Sequence, residues 1–295
     1  MKLSFVIPAH NEENYIGECL DSILKQKPGA PCEVEIIVVD NASSDSTAAV
    51  VQKFAGTDRG GVKLVKEPTK GIVHARHAGF LASTGDLIAN VDSDSRLTPG
   101  WIAKVYDEFS RDPKLVALSG PFIYYDLPPK MNRSIRWFYY IAFTFYLINR
   151  FVLHIGSMLQ GGNFVVRRSA LEKIGGYDTA IQFYGEDTDM ARRMHAVGRV
   201  KFTFKLPMYS SGRRLAKEGA LTMAARYGIN YFWMTFFKRP YTKTSNDIRL
   251  TNKNDPYYKP VNRAKEWAIA ISAALIFLAI LAAIGYGIYV IILHV

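Results

Sequence analysis

The chain is short of cysteine and short of acid. Cys19 and Cys32 are the two cysteines among 295 residues. They do not form a CxxC pair and no zinc-type Cys/His set accompanies them, which argues against a disulfide framework, a zinc site or a dithiol redox centre. Two free thiols fit a reducing compartment. Asp and Glu number 26 against 37 Lys and Arg, so the net charge is +11. That balance points to anionic partners: a nucleic acid, a nucleotide or an acidic membrane surface. No nucleic-acid-binding motif accompanies the charge, so nucleic acid is not expected as a partner. There is no GxxxxGK[ST], no GxGxxG after the first apolar run and no HExxH. These absences exclude a phosphate loop and a zincin site and weaken a dinucleotide-binding reading.

Long uncharged runs are also scarce. The opening MKLSFVIPA meets Glu12 and Glu13 too soon to act as a signal peptide. The aromatic stretch SIRWFYYIAFTFYLINRFVLHIG is broken by Arg136, Asn149 and Arg150. Its unbroken part is too short to span a bilayer, so residues 134–156 read either as a buried core helix or as an interfacial helix. YGINYFWMTFFKRP poses the same choice, with Lys238 and Arg239 placed to meet lipid phosphates. One run differs: Trp267 to Leu293 carries no charge, longer than the roughly 20 residues that cross a bilayer. Lys253, Lys259, Arg263 and Lys265 precede it, and His294 follows. The positive-inside rule then expects a single-pass anchor at 266–294 with the larger part of the chain on the cytoplasmic side of the cell membrane.

What the rest of the chain has is alternation. KLSFVIPA, VEIIVVD, VKLVKE, DLIANVD and LVALSG read as strands. Between them lie helix-like segments. NEENYIGECLDSILKQ has Asn11 as its candidate cap, ASSDSTAAVVQKFA opens on cap residues, and GIVHARHAGFLAST and TPGWIAKVYDEFSRD follow. Strands separated by helices predict an α/β domain with a mostly parallel sheet flanked by helices. In such sheets ligands bind beyond the carboxyl ends of the strands. Asp40 and Asp92 stand at two such ends. Asp92 and Asp94 are two residues apart at a strand tip, which lets both aim at one side. Hard divalent cations, Mg2+ or Mn2+, bind through such carboxylates together with substrate phosphates. Asp and Ser are also ordinary turn residues, so the pair alone leaves a plain acidic turn open.

Five blocks in order carry a resemblance: FVIPAHNEE, VVDNASSDST, KGIVHARHAGFLASTGDLIANVDSD, GGNFVVRRSALEKIGGYD and YGEDTDMARRMHAVG. Over residues 2–205 the chain resembles glycosyltransferase family 2, with its GT-A fold. The resemblance implies a nucleotide-sugar donor and a divalent cation. By that resemblance Pro8, Ala9 and Glu12 line the nucleoside site, Asp40 hydrogen-bonds the base and Arg76 sits near it. Asp92 touches the ribose or the metal, and Asp94 ligates the metal. Asp187 would be the base that takes the acceptor proton in an inverting transfer, with Glu186 orienting the acceptor. Asp189, on the same turn, is expected to face solvent. Gly161, Gly162 and Asn163 would lie beside the acceptor. A guanidinium matches phosphate geometry, so Arg213 or Arg214 is expected on the donor diphosphate or on a phosphate of a lipid acceptor. Family members often carry a histidine metal ligand near here; residues 201–214 hold none.

Each of these residues has a plain structural alternative. Glu12, Glu186 and Asp187 suit helix first turns, Arg76 suits a solvated helix face, and Arg213 with Arg214 suits a surface cluster. The expected organisation is a GT-A domain at 1–215, with a nucleotide-sugar half to about 120 and an acceptor half after it. A membrane-proximal aromatic and basic segment with its linker follows at 216–265, then the anchor. A lipid-linked or membrane-surface acceptor is expected, in cell-envelope polysaccharide or glycolipid synthesis. Transfer onto polyprenyl phosphate and a non-catalytic membrane scaffold remain the rival readings.

Overall fold

Apolar runs five to eight residues long, each closed by a turn residue, become the parallel strands at the centre of the molecule. The computed structural model describes residues 1–55, 61–149, 151 and 158–242, with isolated helical positions between 264 and 275. Strands β1 (Lys2–Ala9), β2 (Glu33–Asp40), β3 (Val62–Lys66), β4 (Leu87–Val91) and β6 (Leu115–Ser119) are the five read from the sequence. The helices between them are α1 (Ile16–Leu24), α2 (Thr47–Ala55), α3 (Ile72–Ala82) and α4 (Trp101–Arg111). Two short strands lie in the intervening loops, β5 (Ser95–Leu97) and β7 (Phe122–Tyr124). Then come α5 (Pro129–Ile148), β8 (Asn163–Arg167), α6 (Arg168–Lys173), α7 (Glu186–His195), β9 (Arg199–Phe202), β10 (Met208–Ser210), α8 (Arg213–Glu218) and α9 (Ala220–Phe237).

The main sheet runs β3-β2-β1-β4-β8-β6-β9, and every pairing is parallel except those of β8 with β4 and β6. Its strands are covered on both faces, so nearly every residue is apolar rather than alternating. From β1, Leu3, Phe5 and Ile7 enter the core under α1 and α4, while Val6 joins the core on the other face with Val73 and Phe80 of α3 and Met190 and Met194 of α7. A second sheet, β5-β10-β7, stands beyond the tip of β4.

One expectation about an element is corrected. Asn11 does not cap α1: it takes a left-handed backbone (φ 53°) and its Oδ1 accepts from the Ser44 amide at 2.8 Å, so the helix starts at Ile16. Of the stretch 134–156, residues up to 148 belong to the 20-residue helix α5, whose Tyr139 and Tyr146 pack on Phe202, as the core reading expects, while Trp137, Phe138 and Tyr140 stay exposed. The boundary expected at 215 falls inside α8, and α9 packs on α7, so the folded unit reaches residue 242. Among the described residues no helix is long and apolar enough to cross a membrane. The linker at 243–260 and nearly all of the expected anchor at 266–294 lie outside the described residues.

Candidate active site

The cleft forms at the carboxyl ends of β1, β2 and β4. Ala9 pairs with Asp40, and the Asn41 amide donates to the Ala9 carbonyl at 2.8 Å, which closes the Pro8-Ala9 end of β1 against the end of β2. Asp40 is buried, and its Oδ1 accepts from the Ser43 amide at 3.1 Å. Asn41, which the sequence reading passed over, fastens the neighbouring loop. Its amide donates to the carbonyls of Glu67 and Thr69, and its oxygen accepts from the Gly71 amide. Glu12 is fully buried just after β1, with its backbone amide held by the Thr47 hydroxyl at 2.8 Å.

The antiparallel strand β8 brings the acceptor-side glycines to the acidic tip. Val91 pairs with Asn163, so Gly162 lies against Asp92, whose amide donates to the Gly162 carbonyl at 3.4 Å. Gly162 has φ +80°, and a Cβ there would lie 2.1 Å from the Asp92 carboxylate, so backbone shape and space both demand glycine. A Cβ on Gly161 would sit 3.3 Å from Glu186 and 3.4 Å from Asp187. Two consecutive residues, about 3.8 Å apart at Cα, therefore touch both acidic centres. Asn163 departs from its expected place beside the acceptor. It is fully buried; its amide nitrogen donates to the carbonyls of Gly120 and Leu206 at 3.0 Å, and its oxygen accepts from Trp101. It fastens β8 to the second sheet.

Arg76 joins the two centres directly. It is almost fully buried on α3, donates to Glu186 Oε1 through one terminal nitrogen, and reaches Asp92 Oδ1 at 3.3 Å through the other. Expected near the base site, it is found between Asp92 and Glu186. Burial works against its charge, yet the neighbouring Glu186 and Asp92 hold it firmly protonated. Glu186 Oε2 and Arg76 Nε are buried and have no hydrogen-bond partner among the described residues.

α7 starts at Gly185 (φ +83°), which turns Glu186 and Asp187 into the cleft. Asp187 Oδ2 accepts from the Gly161 amide at 3.2 Å and Oδ1 from the Thr188 amide at 2.8 Å. Burial pushes its carboxyl up from the ordinary range, against those two N–H groups and Arg76. Burial also pushes Glu186 up to about 7, with the charges of Asp187 and Asp92 adding to it and Arg76 opposing. Asp189 is not solvated. It is buried, with Arg192 at 2.7 Å and Arg193 at 2.6 Å, and locks the helix to its own next turn.

The second sheet delivers a cation to the acidic tip. Ser210 of β10 pairs with Ser95 of β5, so the chain leaving β10 passes Asp94. Asp126 clamps that chain, accepting from the Ser211 hydroxyl at 2.5 Å and the Gly212 amide at 2.6 Å. Arg213 then reaches Glu12 Oε1 at 2.5 Å and Asp94 Oδ2 at 3.0 Å, with its guanidinium 4.4 Å from the Tyr15 ring centre. Arg214 turns elsewhere: it pairs with Glu218 at 3.1 Å and lies over Phe183. Of the two arginines, Arg213 is the one in the donor-side cleft. Nothing in the sequence marked Asp126, whose partners Ser211 and Gly212 lie far along the chain, or the buried Glu218–Arg226 pair, which forms only where α8 turns into α9.

The donor set suits a divalent cation in part. Glu12, Asp92, Asp94, Glu186 and Asp187 outnumber Arg76 and Arg213; burial raises Glu186, and the charges of Asp187 and Asp92 add to the rise. Asp92 and Asp94 supply hard oxygen ligands. Among the described residues there is no group of three or more His, Cys, Asp or Glu side chains arranged around one ion. Asp92 and Asp94 would thus hold Mg2+ or Mn2+ as a two-carboxylate seat, with diphosphate and water completing the set.

Residues 4–175 match the family described as glycosyl transferase family 2, and residues 152–211 match that described as N-terminal domain of galactosyltransferase. The chain is 32% identical over 203 residues to the probable glycosyltransferase YdaM of Bacillus subtilis, which covers 67% of this chain and 47% of YdaM. It therefore spans about half the length of that relative. It is 24% identical over 267 residues to the glucosyl-dolichyl phosphate glucuronosyltransferase of Haloferax volcanii, covering 86% of this chain and 80% of that protein. Its fold is similar to that of the mannosyltransferase PcManGT from Pyrobaculum calidifontis in complex with GDP-Man and Mn2+, with a TM-score of 0.60, 18% identity, and 98% and 80% of the two chains covered. S. aureus TarS 1-349 in complex with UDP-GlcNAc gives a TM-score of 0.52 at 19% identity, covering 78% and 67%. The structural likeness establishes the shared fold, and the family match spans more than half of the sequence: the chain belongs to glycosyltransferase family 2.

Proposed function

We propose that the protein is an inverting glycosyltransferase that moves a sugar from a nucleotide-diphosphate sugar to a hydroxyl of a lipid-linked acceptor. The observation that carries this reading is Arg76, one side chain in contact with both Asp92 and Glu186. It supports a single cleft in which the proposed diphosphate-side acid and the proposed proton-accepting pair lie within reach of one sugar ring. Asp187 takes the proton of the attacking hydroxyl, and its raised pKa brings it closer to the alcohol it must deprotonate. The Gly161 amide and the start of α7 hold its carboxylate in place. Glu186, tied to Arg76, orients the acceptor. Arg213 meets the departing diphosphate at Asp94. A divalent cation on Asp92 and Asp94, when bound, supplies Lewis-acid neutralisation of that leaving group.

The nucleotide-sugar donor is supported by complexes of the structural neighbours, one with GDP-Man and Mn2+ and one with UDP-GlcNAc. The lipid-linked acceptor is supported by the relative named for glucosyl-dolichyl phosphate. The single-pass anchor at 266–294, with the catalytic unit in the cytoplasm, is supported by the uncharged run and the basic residues before it. The described positions Trp267, Ile271 and Leu275 are helical and exposed, as one apolar stripe.

Asp187→Asn tests the reading. Transfer is expected to fall by about 10² to 10⁴, while nucleoside diphosphate with Mn2+ still raises the melting temperature as it does for the wild type. Unchanged turnover of Asp187→Asn onto polyprenyl phosphate would replace the hydroxyl acceptor by a phosphate oxygen, which needs no strong base. No thermal shift with any nucleoside diphosphate would favour a scaffold.

A further inference from the structure

The inner and outer faces of α5 and α9 are different in kind. Outward, α5 exposes Trp137, Phe138, Tyr140, Leu147 and Ile148, and Phe151 follows it. The end of α9 exposes Phe236 and Phe237, with Tyr241 just beyond. Of the other described exposed large hydrophobics before the tail, Tyr227 is also on α9, and only Met1, Leu81, Ile123 and Tyr209 lie elsewhere. Apolar exposure this concentrated marks an interaction surface rather than ordinary scatter. Neither helix contains an acid. The exposed basic residues Lys130, Arg133 and Arg136 stand at the start of α5, and Lys238 and Arg239 stand at the end of α9. Phe232, Trp233, Phe236, Phe237 and Tyr241 form one ring cluster beside that basic pair.

Inward, both helices touch the proton-accepting side of the cleft. Tyr139 of α5 donates to Gln160 Oε1 at 2.9 Å, next to the glycine that holds Asp187. Met234 of α9 packs on Gly185, where a Cβ would lie 3.0 Å from its Cε, and Arg226 bonds the Tyr184 hydroxyl at 3.0 Å. Asn149 at the end of α5 donates to the Tyr231 hydroxyl of α9 at 2.6 Å and ties the two together.

We propose that the outer faces of α5 and α9 form a platform that docks on an anionic leaflet, so that a lipid-borne acceptor enters the cleft sideways without leaving the bilayer. The occupant is assigned as lipid because aromatic rings flanked by cations, with no acid between them, match the headgroup layer in both polarity and charge. The chain beyond residue 242 also leads from this face to the uncharged run at 267–293. The lateral entry rests on the lipid-linked acceptor proposed above; the docking itself rests on the surface alone.

The full chain reconstituted in phosphatidylcholine/phosphatidylglycerol vesicles tests it. Tryptophan emission is compared between wild type and Trp137→Phe, with and without bromine near the headgroup end of the acyl chains. The difference signal, which belongs to Trp137, is expected to fall by about half, the depth of an interfacial aromatic. Arg133→Glu combined with Arg136→Glu, both exposed, is expected to abolish that quenching while the circular dichroism spectrum stays unchanged. An unquenched Trp137 signal in vesicles that do quench the tail's Trp267 overturns the docking, as does cross-linking of position 137 to a second copy. Failure to glycosylate any lipid-linked saccharide with docking intact strikes the acceptor reading instead.

Discussion

Glu186 carries more than its sequence reading assigned to it. Besides the proposed orienting of the acceptor, its surroundings make it a proton-binding group near neutrality. Burial with Asp187 and Asp92 close by lifts its carboxyl to about 7, and Arg76 limits the rise. Between the ordinary carboxylate range and that value the folded chain holds a proton that the unfolded chain has released. Stability from this source is therefore present at low pH and lost as pH rises through the window. Glu186→Gln has no such slope. Between about pH 5 and about pH 8 its stability relative to wild type is expected to improve by on the order of 2 kcal/mol. Chemical denaturation at both values measures this, and a constant gap would contradict the raised carboxyl. The addition has a simple origin: Arg76 and Asp92 reach Glu186 across long sequence separations.

At the scale of elements, the loop between β10 and α8 sets Arg213 against Asp94. Its shape comes from Asp126, which receives both the Ser211 hydroxyl and the Gly212 amide. Asp126→Ala leaves the cleft's own residues in place but frees this loop. Affinity for a nucleoside diphosphate with Mn2+ is expected to weaken by about tenfold, as for the loss of a supporting partner behind a ligand-binding group. Calorimetric titration reads the change, and an unaltered affinity would show that the loop is held without Asp126. The reversed strand β8 is the other decisive element. Pairing antiparallel to β4, it returns Gly161 and Gly162 to the end of the sheet where Asp92 lies. Parallel strands place their carboxyl ends in one crevice; only a reversed one can place its amino end there too.

For the whole molecule, two attachments to membrane are expected and they differ in chemistry. The proposed tail anchor would hold by apolar area; the proposed α5–α9 platform would hold partly by charge, which salt screens. Full-length protein is expected to stay in the membrane pellet after alkaline carbonate. A chain ending at residue 242 is expected to bind anionic vesicles at low salt and to leave them at about 1 M salt, where the screening length shrinks to about 3 Å. Sedimentation in both conditions measures this. Full release of the complete chain by carbonate would remove the tail anchor.

The strand order of the first 120 residues, the parallel sheet and the acidic tip were legible in the chain, because apolar runs, caps and turn residues act over a few residues and leave local marks. Asp40 and Asp92 stood out for the same reason, as residues at strand ends, while Asp187 was singled out only by the family resemblance. The destinations of Asn163, Asp189, Arg76 and the two adjacent arginines were not. Asn163 and Asp189 look like polar surface residues until burial and partners are known; Arg213 and Arg214 look alike until the roughly 100° between consecutive helix positions aims them at different partners. Arg76 and Arg213 meet Glu186 and Glu12 only across long stretches of chain, Asp189 and Arg214 pair within a helix turn once their helices pack, and a charge buried by folding takes its role from the partner it finds there.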